Sequence, residues 1–159
     1  MNLENYFNGC MFAFAMKIVS ACLAGIQCRY DGAAKESDSV MELMRDGKAI
    51  PVCPEQLGGL ATPRVPAEWM GDRVMTRDGD DVTDAYVSGC REALKIALLS
   101  RCDGAILKSR SPACGCGLIY DGSFSGTMIE GDGLFTKLLK ERGIDVQPEK
   151  DEENKTRER

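Results

Sequence analysis

Three cysteines stand where chemistry could be done. Cys22 lies in the run Ser20-Ala21-Cys22-Leu23-Ala24-Gly25, Cys53 in Pro51-Val52-Cys53-Pro54-Glu55, and Cys114 in Lys108-Ser109-Arg110-Ser111-Pro112-Ala113-Cys114-Gly115. Each run follows a short apolar segment that reads as a strand. They are too far apart in the chain to form a local knuckle, so only the fold can unite them. The chain holds eight cysteines and no histidine. Ser-His-Asp and Cys-His nucleophile systems are therefore excluded, as are HExxH and mixed Cys/His zinc sites. Three convergent thiolates suit a soft metal, either zinc or an iron–sulfur cluster. A structural zinc wants a fourth ligand, whereas a cubane on three thiolates leaves one iron open for catalysis. Gly25, Gly58, Gly59, Gly115 and Gly117 let backbone approach a bulky group closely.

The elements that would position these residues are readable in part. Residues 17–21 and 49–52 read as strands one and two, and 104–108 as strand three. Asp38 caps a helix that Gly47 closes. A long helix runs from Thr83 or Asp84 to about Ser100, with Val87, Cys90, Leu94, Ala97 and Leu98 on one face. Residues 54–72 and 109–131 read as loops, 73–82 as a hairpin turning at Asp78-Gly79, 134–142 as a helix stopped by Gly143, and 144–146 as a last strand. This alternation predicts an α/β fold: one compact Rossmann-like domain with a mainly parallel sheet, flanking helices and a small hairpin. Ligands of such sheets bind outside the carboxyl ends of the strands, where all three cysteines are expected. Residues 1–15 read as an extension without a role in the fold, 16–148 as the domain, and 149–159 as a disordered polar tail.

At 159 residues and a net charge of −5, the chain can bury a full core but lacks a broad basic footprint. Nucleic acid is thus disfavoured as main partner, although Arg29, Arg64, Lys108 and Arg110 could form a local patch. The apolar stretch at residues 10–15 is too short to span a membrane and lacks a basic leader. A cytoplasmic protein is expected, its thiols free for metal, catalysis or packing.

The motifs resemble a known family. Ser20-Ala-Cys-Leu-Ala-Gly with Cys28-Arg-Tyr-Asp-Gly32 is similar to its first motif. Val52-Cys-Pro-Glu-Gln-Leu-Gly-Gly59 with Thr62-Pro-Arg64 is similar to the second, and Lys108-Ser-Arg-Ser-Pro-Ala-Cys-Gly115 with Ile119-Tyr-Asp-Gly-Ser-Phe-Ser-Gly126 to the third. This is the thiouracil desulfurase family, also called TudS-like or YbbK-like, and the resemblance covers residues 16 to about 148. It implies a [4Fe-4S] cluster on Cys22, Cys53 and Cys114, with one free iron that binds a thiocarbonyl sulfur while water displaces it without net redox change. It places Glu55 and Ser111 where the family handles substrate. A carboxylate there could take a proton from water or hold a pyrimidine N–H, a hydroxyl could orient substrate, and Lys108 could stabilise negative charge. Cys116, two residues after Cys114, is an alternative third ligand or sulfur acceptor.

Plainer roles account for other residues. Cys90 reads as core, Cys102 as packing or a surface thiol, and Cys28 as structural. Arg29 and Asp31 pair. Asp78 to Asp81 is a hairpin tip without EF-hand spacing, and 121–126 is a lid without the Lys-Ser/Thr of a phosphate loop. Two other functions remain open: a non-catalytic zinc or iron–sulfur module, and an enzyme for thiolated nucleosides in RNA.

Overall fold

The computed structural model describes residues 15–150; all but the last residue of the expected extension and all but the first two of the expected tail lie outside them. Four strands form a parallel sheet: β1 (Lys17–Ser20), β2 (Ala49–Val52), β5 (Gly104–Leu107) and β8 (Asp145–Pro148), in the order β2-β1-β5-β8. β1 lies at the centre, and its successive residues Ile18 and Val19 are both fully buried. Successive side chains point to opposite faces, so both faces of this sheet are covered.

Ile18 packs with residues of α3 (Thr83–Leu99) and α4 (Leu134–Glu141), among them Cys90, Ala97, Phe135 and Leu139. Val19 packs on the other side with Val40 of α1 (Asp38–Arg45) and with Leu23. The three-layer α/β architecture is the one expected. α3 forms because Ala, Leu, Lys and Glu supply helix propensity while Cys90, Ala93, Leu94 and Ala97 supply a buried stripe.

The small elements differ from the expectation. The stretch 54–72 holds a one-turn helix, α2 (Pro54–Leu57), and a strand, β3 (Ala67–Met70), which pairs antiparallel with β4 (Arg73–Thr76). The hairpin turn is therefore at Gly71-Asp72, with Gly71 at φ +64°. Asp78-Gly79 makes a second turn, in which Thr76 N–H donates to the Asp80 carbonyl. Likewise, 109–131 holds a hairpin of β6 (Leu118–Tyr120) and β7 (Met128–Glu130). Three-residue strands carry too little periodicity to be read from sequence.

α2 meets α3 at two glycines. A Cβ on Gly89 would lie 1.8 Å from the Pro54 carbonyl oxygen, and one on Gly58 would lie 2.0 Å from that of Ala85. Only bare backbone permits this approach. It fixes the turn that carries Cys53 and Glu55. Gly89→Ala should therefore destabilise the protein by more than the roughly 1–3 kcal/mol usual for overpacking, because backbone and not a flexible side chain must move. Urea unfolding checks this; an unchanged midpoint would refute the close approach.

Candidate active site

Parallel pairing without offset brings the three strand ends to one level. Ser20 lies opposite Val52 and Val19 opposite Ile106. The loops that follow line one cavity of about 410 Å³, together with the 120–126 segment and part of the β3–β4 hairpin. Cys22, Cys53, Cys114, Glu55, Ser111 and Lys108 all line it, and so does Cys28.

Each loop has its own fastening. Cys22 sits on a 3-10 turn, Ala21–Ala24, closed by Gly25 at φ +85°. Cys53 is the N-cap residue of α2, whose first residue is Pro54; a proline there has φ already set for the helix. The third loop is tied by Ser111: its Oγ accepts N–H bonds from Ala113 and Cys114, both at 3.1 Å. Thr136 Oγ1 donates to the Cys114 carbonyl at 3.0 Å. Ser20 Oγ accepts the Lys108 N–H at 2.9 Å, joining loops one and three.

Arg64 joins loops one and two. Its Nε donates to Glu55 Oε2 at 2.6 Å, its Nη2 to the Cys28 carbonyl at 2.9 Å, and its Nη1 to the Ala61 carbonyl and Thr62 Oγ1, each at 3.1 Å. The Glu55 side chain is only 13% exposed. Tyr86 packs beside it; burial, reinforced by the Glu55 charge, raises the phenol so that it stays neutral.

Lys108 is less free than a solvated strand end. Its Nζ donates to Glu149 Oε1 at 2.5 Å, and Glu149 is itself buried. The ordered chain thus extends past residue 148, where the sequence places the start of the tail. A fourth fastening holds the lid. Glu68 Oε2 accepts the N–H groups of Gly122 and Phe124, both at 3.0 Å. Trp69 Nε1 donates to the Pro112 carbonyl at 2.8 Å. Arg29 pairs with Asp31 at 3.1 Å, as expected.

The thiols are all free among the described residues. That of Cys28 is pushed up to about 11, chiefly by its contact with the Cys22 thiol and further by burial. That of Cys53 is raised by Cys28 and by burial. Burial also raises Cys114, against the opposing contact with the Ser20 hydroxyl. Cys28 is thus a member of the cavity's thiol set, not only a packing residue. Cys116 lies outside the cavity and directs its Sγ to the Val146 carbonyl at 3.6 Å. Cys90 is fully buried, as expected, and does not line the cavity; burial pushes its thiol up to about 12, and Glu55 and Cys53 add to this.

Among the described residues, no three of Cys, Asp and Glu converge tightly enough to enclose a single ion. A lone zinc requires that, with Zn–S distances near ~2.3 Å. A multi-iron cluster takes each thiolate on a different iron, and a cavity of about 410 Å³ lined by Cys22, Cys53 and Cys114 offers the donors and the room for one. The residues sequence reasoning missed are Ser20, Glu68 and Glu149. The only signal for Glu68 was its place between apolar residues in Ala67-Glu68-Trp69, which does not name its partner. Glu149 gave none, because it merges with the charged tail.

The chain matches the family model described as 2-thiouracil desulfurase over residues 18–151. It is 42% identical over 141 residues to the "Uncharacterized protein YbbK" of Bacillus subtilis (strain 168), covering 82% of this chain and 93% of that protein. It is also similar to the solved structure of a "[4Fe-4S]-dependent thiouracil desulfidase TudS", with a TM-score of 0.81 and 45% identity over 84% of this chain and 90% of that one. No helix of the described residues is long and apolar enough to cross a membrane.

Arg64→Lys tests the clamp. A lysine keeps the charge but cannot reproduce the fork, so two loops lose their joint and buried acceptors go unmet. The expected cost is about 1–3 kcal/mol in denaturant unfolding. Arg29→Lys, at a more exposed pair, should cost less than about 1 kcal/mol. Equal effects would refute the clamp.

Proposed function

The chain belongs to the 2-thiouracil desulfurase family, and from that premise we propose that it removes sulfur from a small thiolated pyrimidine such as 2-thiouracil, giving uracil without net redox change. Cys22, Cys53 and Cys114 would hold a [4Fe-4S] cluster in the cavity. The observation that carries the reading is the meeting of these three cysteines with Glu55 and Ser111 on one cavity wall. When bound, the cluster would supply a soft Lewis-acidic iron able to take the leaving sulfur as sulfide.

The chain's own groups divide the remaining work. Ser111 has both acceptor positions of its hydroxyl filled by the Ala113 and Cys114 N–H groups. A hydroxyl carries one proton and two lone pairs, so Ser111 serves as a donor that orients substrate. Proton acceptance falls to Glu55. One of its oxygens is held by Arg64, and a carboxylate keeps capacity on the other; it takes a proton from the attacking water or holds a pyrimidine N–H. Tyr30, Tyr120 and Phe124 line the same cavity and offer faces on which a flat ring can rest. Lys108 works as one half of its pair with Glu149. The oxygen sensitivity of an open iron and the free thiols agree with a reducing, cytoplasmic setting.

RNA is disfavoured as substrate because three of the four candidate basic residues are neutralised. Arg29, Arg64 and Lys108 are paired with Asp31, Glu55 and Glu149.

Protein purified and reconstituted without oxygen should convert 2-thiouracil to uracil and release sulfide with no reductant. Cys22→Ser, Cys53→Ser and Cys114→Ser should lose iron and activity together, whereas Cys116→Ser keeps both. Glu55→Gln and Ser111→Ala should keep the cluster's absorbance but lose turnover by about 10²–10⁴. Full turnover in Glu55→Gln with iron intact would remove the proton-acceptor role. Zinc in place of iron, with no desulfurisation, would leave a binding module instead.

A further inference from the structure

Resting on that reading, we propose that Glu149 is a positioning residue: with Lys108 and Ser109 it forms a buried polar anchor that sets Ser111 and Cys114 against the cavity. Glu149 follows β8, whose Leu107–Pro148 register places it beside the end of β5. Its own N–H continues the pairing to the Leu107 carbonyl at 3.1 Å. Its carboxylate then meets three donors. Oε1 accepts from Lys108 Nζ at 2.5 Å and from Ser109 Oγ at 2.9 Å, and Oε2 accepts from the Ser109 N–H at 2.6 Å. The Glu149 side chain is 5% exposed and that of Lys108 19%. The carboxyl is held below its usual range although burial pushes it up, because Lys108 and both Ser109 donors outweigh burial.

This anchor holds the start of a loop that is tied further on by a bridge of Arg110 to Ile119 and by Trp69 on the Pro112 carbonyl. Arg110, next to Ser109, sits at φ +66°, a left-handed conformation that costs a non-glycine residue energy and persists only where neighbours enforce it. On one side Glu149 fixes Ser109. On the other, Ser111 Oγ caps the turn to Cys114. Residue 110 is thus bent between two fixed points, and the bend delivers Ser111 and Cys114 to the cavity. Glu149 itself does not line that cavity; it acts through the loop.

The test uses the full chain carrying Glu149→Gln, Lys108→Met, and both changes. In the cluster-loaded protein, Glu149→Gln should lower kcat for 2-thiouracil about tenfold or more, as displaced positioning does, while KM moves less than about threefold. It should also release iron to a chelator several times faster. The double variant should be no worse than the poorer single, because the pair acts as a unit. In the metal-free protein, hydrogen exchange at the amides of Ser109, Ala113 and Cys114 should accelerate in Glu149→Gln while those of β1 stay as slow as before. Should Glu149→Gln not fold, Glu149→Asp, which keeps the charge but shortens the reach, gives the same exchange readout. Unchanged exchange at 109–114, acceleration spread across β1, or wild-type kcat with wild-type iron retention would each overturn the proposal. Loss of cluster and turnover already in the wild-type chain would defeat the functional reading instead, and the exchange result would still decide the anchor.

Discussion

Everything at this site depends on three parallel strands ending level with one another. β1 pairs with β2 and β5 with no offset, so the chain leaves all three at one edge of the sheet. A strand slipped by one residue would turn every side chain to the other face. With both faces covered, what opposes that slip is the fit of Ile18 and Val19 into two separate packed clusters. The apolar core therefore does more than stabilise. It sets the level from which Cys22, Cys53 and Cys114 start.

Level strand ends deliver loops, not side chains, and loops need fixing. Here each joint uses a buried polar group: Ser20 between loops one and three, Arg64 between one and two, Glu149 under loop three, and Glu68 under the lid. Buried charges need a partner charge or hydrogen bonds; Arg64 and Glu149 have both, and Glu68 has two backbone N–H donors. No buried side-chain nitrogen or oxygen of the described residues lacks a partner. Such satisfied networks specify one arrangement, where apolar packing alone tolerates several.

The sequence was legible where a rule is local and strong. The apolar run 17–21, the stripe on 83–99, and cysteines placed after strands led to the fold and to the cavity wall. It was misleading where two local signals competed. Asp78-Gly79 is the stronger hairpin signal, and the prolines at 63 and 66 read as loop, so the pairing of 67–70 with 73–76 around Gly71 was hidden. It was silent where a partner is distant. Nothing near Glu149 or Glu68 shows that one will meet Ser109 and the other Gly122. Cys28 illustrates the same limit: it lies in the first motif, yet its neighbours Cys22 and Cys53 come from two loops.

Net charge illustrates it as well. The chain as a whole is acidic, at −5, but the cavity is not. Glu55 is matched by Arg64 and Lys108 by Glu149, while Glu68 is spent on backbone N–H groups of the lid. Lys35, Arg77 and Arg110 also line the cavity, and among the described residues none of them is in an ion pair. The cavity wall thus carries an excess of positive charge. Three thiolates brought together repel one another, and an opposite charge within a few ångströms favours the ionised form of each. Lowered solvation inside the cavity strengthens that attraction. The thiol of Cys53 is nonetheless raised, chiefly by its contact with Cys28, and that of Cys114 chiefly by burial, so thiol contact and burial outweigh that attraction here.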